Sequence, residues 1–129
     1  MMVGINAAIM IDLAGQVVAD TVAGRQHSGV GGHESFVTGA READGGMSIL
    51  CVHSTRDIEG KPHSRIFAEL PPGSVITTPR HQVQWVATEN GIVNLFGMSD
   101  RERAEALIGL ADPAFREELR GAARSRVRG

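Results

Sequence analysis

The chain has 129 residues, 42% hydrophobic and 22% charged, with a formal net charge of −2 at neutral pH. That length suits one domain, residues 1–129, with a core of its own, and the composition excludes wholesale disorder. A slightly acidic chain has no global basic field for nucleic acid, and no apolar run approaches the about 20 residues that cross a bilayer.

Cys51 is the only cysteine, so no intrachain disulfide forms, in keeping with a reducing cytoplasm. The opening Met1-Met2-Val3-Gly4 lacks the basic stretch and long apolar run of a signal peptide. The location expected is cytoplasmic.

Ile5, Ala7, Ile9 and Ile11 alternate with Asn6, Ala8, Met10 and Asp12, which predicts a half-buried strand running to about Leu13. Ordered sequence so near the first residue looks like a domain excised from a longer protein. Ala14-Gly15-Gln16 reads as a turn, and Val17 to Val22 as the returning strand of a hairpin. Gly24 to Gly32 reads as a loop, and Glu34 to Ala43 as a short helix with Phe36, Val37 and Ala40 inward. Met47 to His53 is a short apolar run, a buried strand. Within it Cys51 is expected to be buried and inert. Thr55 to Ser64 is polar and reads as a loop.

Arg65 to Leu70 predicts a strand, Pro71-Pro72-Gly73 a turn, and the β-branched run Val75 to Thr78 an extended segment stopped by Pro79. Val83 to Ala87 and Ile92 to Phe96 are further strands, joined by a turn at Glu89-Asn90-Gly91. Ser99 and Glu102 have capping-box spacing. Ala104, Leu107, Ile108 and Ala111 then recur at helical intervals. Asp112-Pro113 ends that helix and opens a second, with Asp112 as N-cap, Pro113 at its first position, and Phe115, Leu119 and Ala122 on its apolar face. The arginines from Arg116 to Arg128 read as the positively charged end of a solvated helix, which suits the negative C-terminal pole of the macrodipole, and no aromatic side chains stand among them to stack bases. Strands with helices between and after them make an α/β layered domain.

Three glycines fall within Gly29-Val30-Gly31-Gly32, followed by His33-Glu34. Such a loop lets backbone amides approach an anion or an oxyanion closely, and it equally describes a plain tight loop. It is neither a P-loop nor a dinucleotide fingerprint, because the lysine and the glycine order they need are absent. His33-Glu34 opens like a zincin helix, but Val37 stands where the second histidine must be, and the five histidines show no ligand spacing, so no metal is expected. Thr88-Glu89-Asn90-Gly91 puts a carboxylate in a turn at the end of a strand, where open α/β sheets keep their sites and where solvated turn residues also occur.

Taken in order, these segments resemble one family. Ile5-Asn6-Ala7-Ala8-Ile9 with Ile11-Asp12-Leu13-Ala14-Gly15-Gln16-Val17 is similar to its paired opening strands, and Gly29-Val30-Gly31-Gly32 to its glycine loop. Thr77-Thr78-Pro79-Arg80 followed by Val83, Val86, Thr88-Glu89 and Gly91 is the most specific run. Arg101-Glu102-Arg103-Ala104 and Asp112-Pro113 with Phe115-Arg116-Glu117 resemble its closing helices. The resemblance is to the C-terminal domain of acetyl-CoA hydrolases and acyl-CoA:carboxylate CoA-transferases. It spans nearly the whole chain. The sequence departs from the family's common residues at Met10, His33, Ser35, Asn90 and Phe96.

The resemblance implies a CoA-transferase-type α/β domain, a mixed sheet flanked by helices with two helices at the C-terminus. It implies chemistry in which a glutamate attacks the acyl-CoA thioester and later carries CoA as a glutamyl thioester. Gly32 would supply an oxyanion amide, and Glu89 would stand beside the reacting carboxylate. Gly29, Val30, Gly31, His33, Asn90 and Gly91 would border the substrate. Arg56 and Lys61, with Arg65 nearby, would meet CoA phosphates. CoA is the only cofactor-like ligand implied, with a small carboxylate as co-substrate.

The nucleophilic glutamate lies in the family's preceding half, and this sequence contains no match for it. The chain is therefore expected to act with that N-terminal part, on the same or another chain, and to be inactive alone; exposed strand edges would also favour a homodimer. Two other readings stand beside this one. Glu89-Asn90-Gly91 also resembles the triplet that carries the attacking glutamate in a different CoA-transferase family, which would make Glu89 the nucleophile. The second is a non-catalytic CoA-binding or interaction module.

Overall fold

The structure, a computed structural model, describes residues 3–19, 21–22, 25–26 and 45–128. The glycine loop (Gly29, Val30, Gly31, Gly32 and His33) and the helix expected over Glu34 to Ala43 lie outside the described residues.

Three strands, β1 (Val3–Ala7), β6 (Met47–Cys51) and β10 (Trp85–Thr88), run parallel, and β11 (Gly91–Asn94) closes the sheet antiparallel in the order β1-β6-β10-β11. A smaller sheet joins β2 (Met10–Asp12) to β3 (Val17–Val18) and to β9 (Ile66–Phe67). Two hairpins, β4 (Thr21–Val22) with β5 (Arg25–Gln26) and β7 (Thr55–Ile58) with β8 (Lys61–Ser64), pair only within themselves. Helices α1 (Asp100–Leu110) and α2 (Pro113–Arg128) follow the last strand. The mixed sheet and the two C-terminal helices agree with the expected architecture.

The alternating segment that predicts one opening strand is two strands. At Ala8 the chain changes partners: the Ala8 N–H donates to Cys51 O at 2.8 Å, and the next N–H, of Ile9, donates to Val18 O at 2.8 Å. Gly15 turns the chain at φ 95°, where an added Cβ would meet Arg103 Nη1 at 3.0 Å. Asp12, buried, holds that turn by accepting the N–H groups of Ala14 at 3.0 Å and Gln16 at 2.9 Å. Arg103 reaches across from α1 and donates to Ala14 O, Arg80 O and Leu95 O, so one side chain ties three loops together.

Thr55 to Ser64 is a hairpin rather than a loop. Glu59 at φ 52° and Gly60 at φ 78° form its turn, and both positive values suit the tight primed turn that matches strand twist. Its strands escape a period-2 reading because neither face is apolar and most of the hairpin is exposed. Conversely, Val75 and Ile76 are exposed, and the β-branched run makes only an antiparallel bridge from Thr78 to Val17 of the two-residue strand β3.

The core lies on one face of the main sheet. Leu50 and Val86 face it from neighbouring strands, and Ile11, Val17 and Ile66 come from the small sheet. Leu107, Ile108 and Leu110 of α1 and Leu119 of α2 complete it. The capping box forms as expected, with Ser99 Oγ accepting from Glu102 N–H at 3.2 Å and Glu102 Oε1 accepting from Ser99 N–H at 3.0 Å. Asp112 caps α2 through Ala114 N–H at 2.9 Å.

The opposite face is largely apolar and uncovered at its edges. Val3 and Ile5 on β1 are 49% and 67% exposed, and Ile92 on β11 is 51% exposed, with half-buried Ile49 and Trp85 between them. Cys51 ends β6 on this face and is exposed, which corrects the expectation that it is buried: the alternation of the strand turns it away from the core that holds Leu50.

Candidate functional site

Three parallel strands end together, and their C-terminal ends open onto a cavity of about 490 Å³. Open α/β sheets place ligands beyond such ends, because the connecting loops diverge there. Ala7, Ala8 and Ile9 form one wall, Cys51, Val52 and His53 the next, and Ala87, Thr88 and Glu89 the third; Ala19 and Arg65 complete the lining.

Glu89 occupies a two-residue turn between Thr88 and Gly91, which pair directly. Gly91 takes φ 148°, a value that disfavours any side chain. The turn is fastened on both sides of the glutamate. Thr88 Oγ1 donates to Leu110 O at 2.7 Å, and Asn90 Nδ2 donates to Leu110 O at 3.1 Å and Ala111 O at 3.3 Å. Arg116 adds donors to Ala111 O and Gly109 O. These five contacts satisfy carbonyls that the end of α1 leaves without helical partners. The end of a helix thereby becomes the support of a turn.

The carboxylate itself is held from β6's continuation. Ser54, fully buried, donates its backbone N–H to Oε1 at 3.1 Å and to Oε2 at 3.2 Å, and its hydroxyl donates to Oε1. The Ser54 hydroxyl is the main cause that holds the Glu89 carboxyl below its usual range; burial opposes it, while backbone N–H groups and the nearby His53 add to it. Glu89 therefore stays ionised, oriented and open to solvent.

Removing the Ser54 hydroxyl should raise the titration midpoint of Glu89 toward the ordinary carboxylate range. Carbon-detected NMR of the Ser54→Ala variant across acid pH checks this, and an unmoved midpoint would discard the assignment of cause. The sign for stability follows. A depressed folded pKa stabilises above the unfolded pKa and is lost as pH falls through the folded one. The advantage of wild type over Ser54→Ala should shrink in acid, and only slightly, because Glu89 is exposed.

The structure places Glu89 in the cavity lining, while Asn90 and Gly91 of the same turn lie outside that lining, with Asn90's amide engaged on α1. Arg56 and Lys61 stand apart, exposed on the β7-β8 hairpin and outside the cavity lining. Ser54 and His53 are neighbours of Glu89 that sequence patterns passed over as site residues, whereas Arg65, expected near the CoA phosphates, lines the cavity. Ser54 and Glu89 are 35 residues apart, and nothing local links them. Among the described residues, no three of His, Cys, Asp and Glu are grouped so as to hold a metal ion. Nor is any helix among them long and apolar enough to cross a membrane.

A larger groove of about 650 Å³ lies between the β2 turn and the two helices. Its two carboxylates are paired, Asp100 with Arg80 at 3.7 Å and Glu105 with Arg120 at 3.8 Å, and it lies away from the strand ends. The strand-end cavity is the better candidate.

Residues 1–123 match the family model described as acetyl-CoA hydrolase/transferase C-terminal domain. Among curated relatives, a probable butyrate:acetyl-CoA coenzyme A-transferase of Syntrophomonas wolfei is 47% identical over 117 residues, covering 91% of this chain and 26% of that protein. Among solved structures, RipA from Yersinia pestis superposes with a TM-score of 0.85 at 42% identity, over 96% of this chain and 27% of its own. A 4-hydroxybutyrate CoA-transferase from Porphyromonas gingivalis gives a TM-score of 0.74 at 35% identity, over 97% of this chain and 27% of its own. The chain thus spans about a quarter of the length of these relatives.

Proposed function

Because the chain belongs to the acetyl-CoA hydrolase/transferase family, matching its C-terminal domain, we propose that it forms one wall of an acyl-CoA:carboxylate CoA-transferase site. The observation that carries this reading is the ionised, Ser54-held Glu89 at the mouth of a small, mostly apolar cavity. A fixed carboxylate there orients the reacting groups by charge and hydrogen bonding. Its oxygens are already engaged by Ser54, which favours a positioning role over attack on a thioester. The attacking glutamate comes from the part of the relatives that this chain does not span. Gly32 supplies an oxyanion amide, and Gly29, Val30, Gly31 and His33 shape the loop around the thioester. Arg56 and Lys61, at the exposed hairpin, meet the CoA phosphates at the periphery.

The exposed apolar edges of the main sheet's second face support a need for a further layer. Parallel strands are ordinarily covered on both faces. Here one face holds the core, and Val3, Ile5 and Ile92 lie open on the other. The relatives' N-terminal part is the covering we propose.

Titrating the chain with acetyl-CoA in a calorimeter is expected to give saturable heat in the micromolar range, with no release of CoA thiol. Failure to take up acetyl-CoA, both alone and when supplied with the relatives' N-terminal part, would remove this reading. Steady thiol release by the chain alone would return Glu89 to the role of nucleophile.

A further inference from the structure

Arg65 lies between β8 and β9 and lines the strand-end cavity. Its backbone is fixed on both sides: its N–H donates to Ser54 O at 2.9 Å, and its carbonyl accepts from Ile11 N–H at 3.1 Å. Its Nε is buried and makes no hydrogen bond. Among the described residues it forms no ion pair, since those present are Arg80 with Asp100 and Arg120 with Glu105 and Glu117. Among the described residues Glu89 is the only carboxylate lining the cavity, and Ser54 holds it. The Arg65 Nε is closed to the cavity, so a ligand there would meet the outer nitrogens of the guanidinium, which no carboxylate among the described residues neutralises.

We propose that Arg65 recognises the carboxylate of a short aliphatic acid lodged in this cavity, with the alkyl chain against Ala8, Ile9, Val52 and Ala87. The planar guanidinium fork matches the two oxygens of a carboxylate. The small apolar side chains of the wall suit a short hydrocarbon tail. A phosphate fits less well, because the described lining of the cavity offers one arginine, and the ionised Glu89 repels a dianion more than a monoanion. Arg65 is thus a binding residue for the co-substrate acid, separate from the exposed basic residues of the hairpin. The inference rests on the transferase reading above and deepens it.

The test is an NMR titration of the chain with sodium butyrate at constant ionic strength, with inorganic phosphate as the competing probe. Amides of Ala8, Val52 and Ala87 and the Arg65 Nε–H are expected to shift saturably in the millimolar range. Arg65→Gln should weaken binding roughly tenfold or more, and Arg65→Lys less, since charge remains without the fork. Phosphate should not displace butyrate. Wild-type affinity in a folded Arg65→Gln variant, an Arg65 Nε–H signal that ignores butyrate, or displacement by phosphate would each overturn the proposal. The Nε–H measurement uses wild type and so holds even if a variant fails to fold. The two readings fail separately: acetyl-CoA binding that persists while butyrate moves nothing leaves the transferase wall standing and removes Arg65 from it.

Discussion

Gly32→Val is expected to lower acyl-CoA turnover by about a hundredfold or more in an enzyme that joins this chain to the relatives' N-terminal part, while leaving the chain folded. The expectation follows from the chemistry of the proposed site. Each step of a thioester exchange through an enzyme carboxylate places negative charge on a carbonyl oxygen. A backbone N–H aimed at that oxygen contributes roughly 3 kcal/mol in the transition state, about what a hundredfold loss requires. In the proposed site valine would keep the N–H, while its branched side chain would hold the developing oxyanion away from it. The loss should appear in kcat, with acetyl-CoA affinity changed less, since the oxyanion exists only during reaction. Wild-type turnover in this variant would show that the loop has no part in the chemistry.

Leu107→Ala should destabilise the chain by about 3 kcal/mol, within the range for truncating a leucine inside a packed core. Leu107 is fully buried in α1 and belongs to the cluster formed with Leu50, Val86 and Leu95. That cluster draws its members from two sheets and both helices, so the space left behind is not expected to close by moving one element. Urea unfolding checks this: the midpoint should fall with the slope unchanged. The consequence reaches the site, because Leu110 at the end of the same helix accepts the Thr88 and Asn90 hydrogen bonds that fix the Glu89 turn. A loss below about 1 kcal/mol would mean that the core collapses onto the smaller side chain more easily than its packing indicates.

Features governed by neighbours in sequence were legible from sequence. The Ser99–Glu102 capping box, the Asp112-Pro113 junction and the Gly15 turn each depend on groups within a few residues, and each forms where the residue types require it. The buried strand over Met47 to Cys51 was readable from its apolar run, and the Glu89 turn from its position between two extended segments. The family itself was legible because motifs from Ile5 to Glu117 stand in order along the chain.

Tertiary structure decided what depends on partners far along the chain. Ala8 and Ile9 are adjacent and similar, yet one bonds to Cys51 and the other to Val18, and no local pattern encodes that exchange. The β7-β8 hairpin has no apolar face, so pairing rather than periodicity defines it. Cys51 sits in an apolar run, but the strand's alternation and the one-sided core expose it. The candidate site is of the same kind. Ser54 reaches Glu89 across 35 residues, and Arg65 joins their cavity because its backbone bonds Ser54 and Ile11. Sequence alone determined which short segments could turn, cap and bury themselves, because those choices are set by local sterics and hydrogen bonding. Only the folded chain could decide which polar groups meet at the strand ends, because charge and hydrogen bonding act through space.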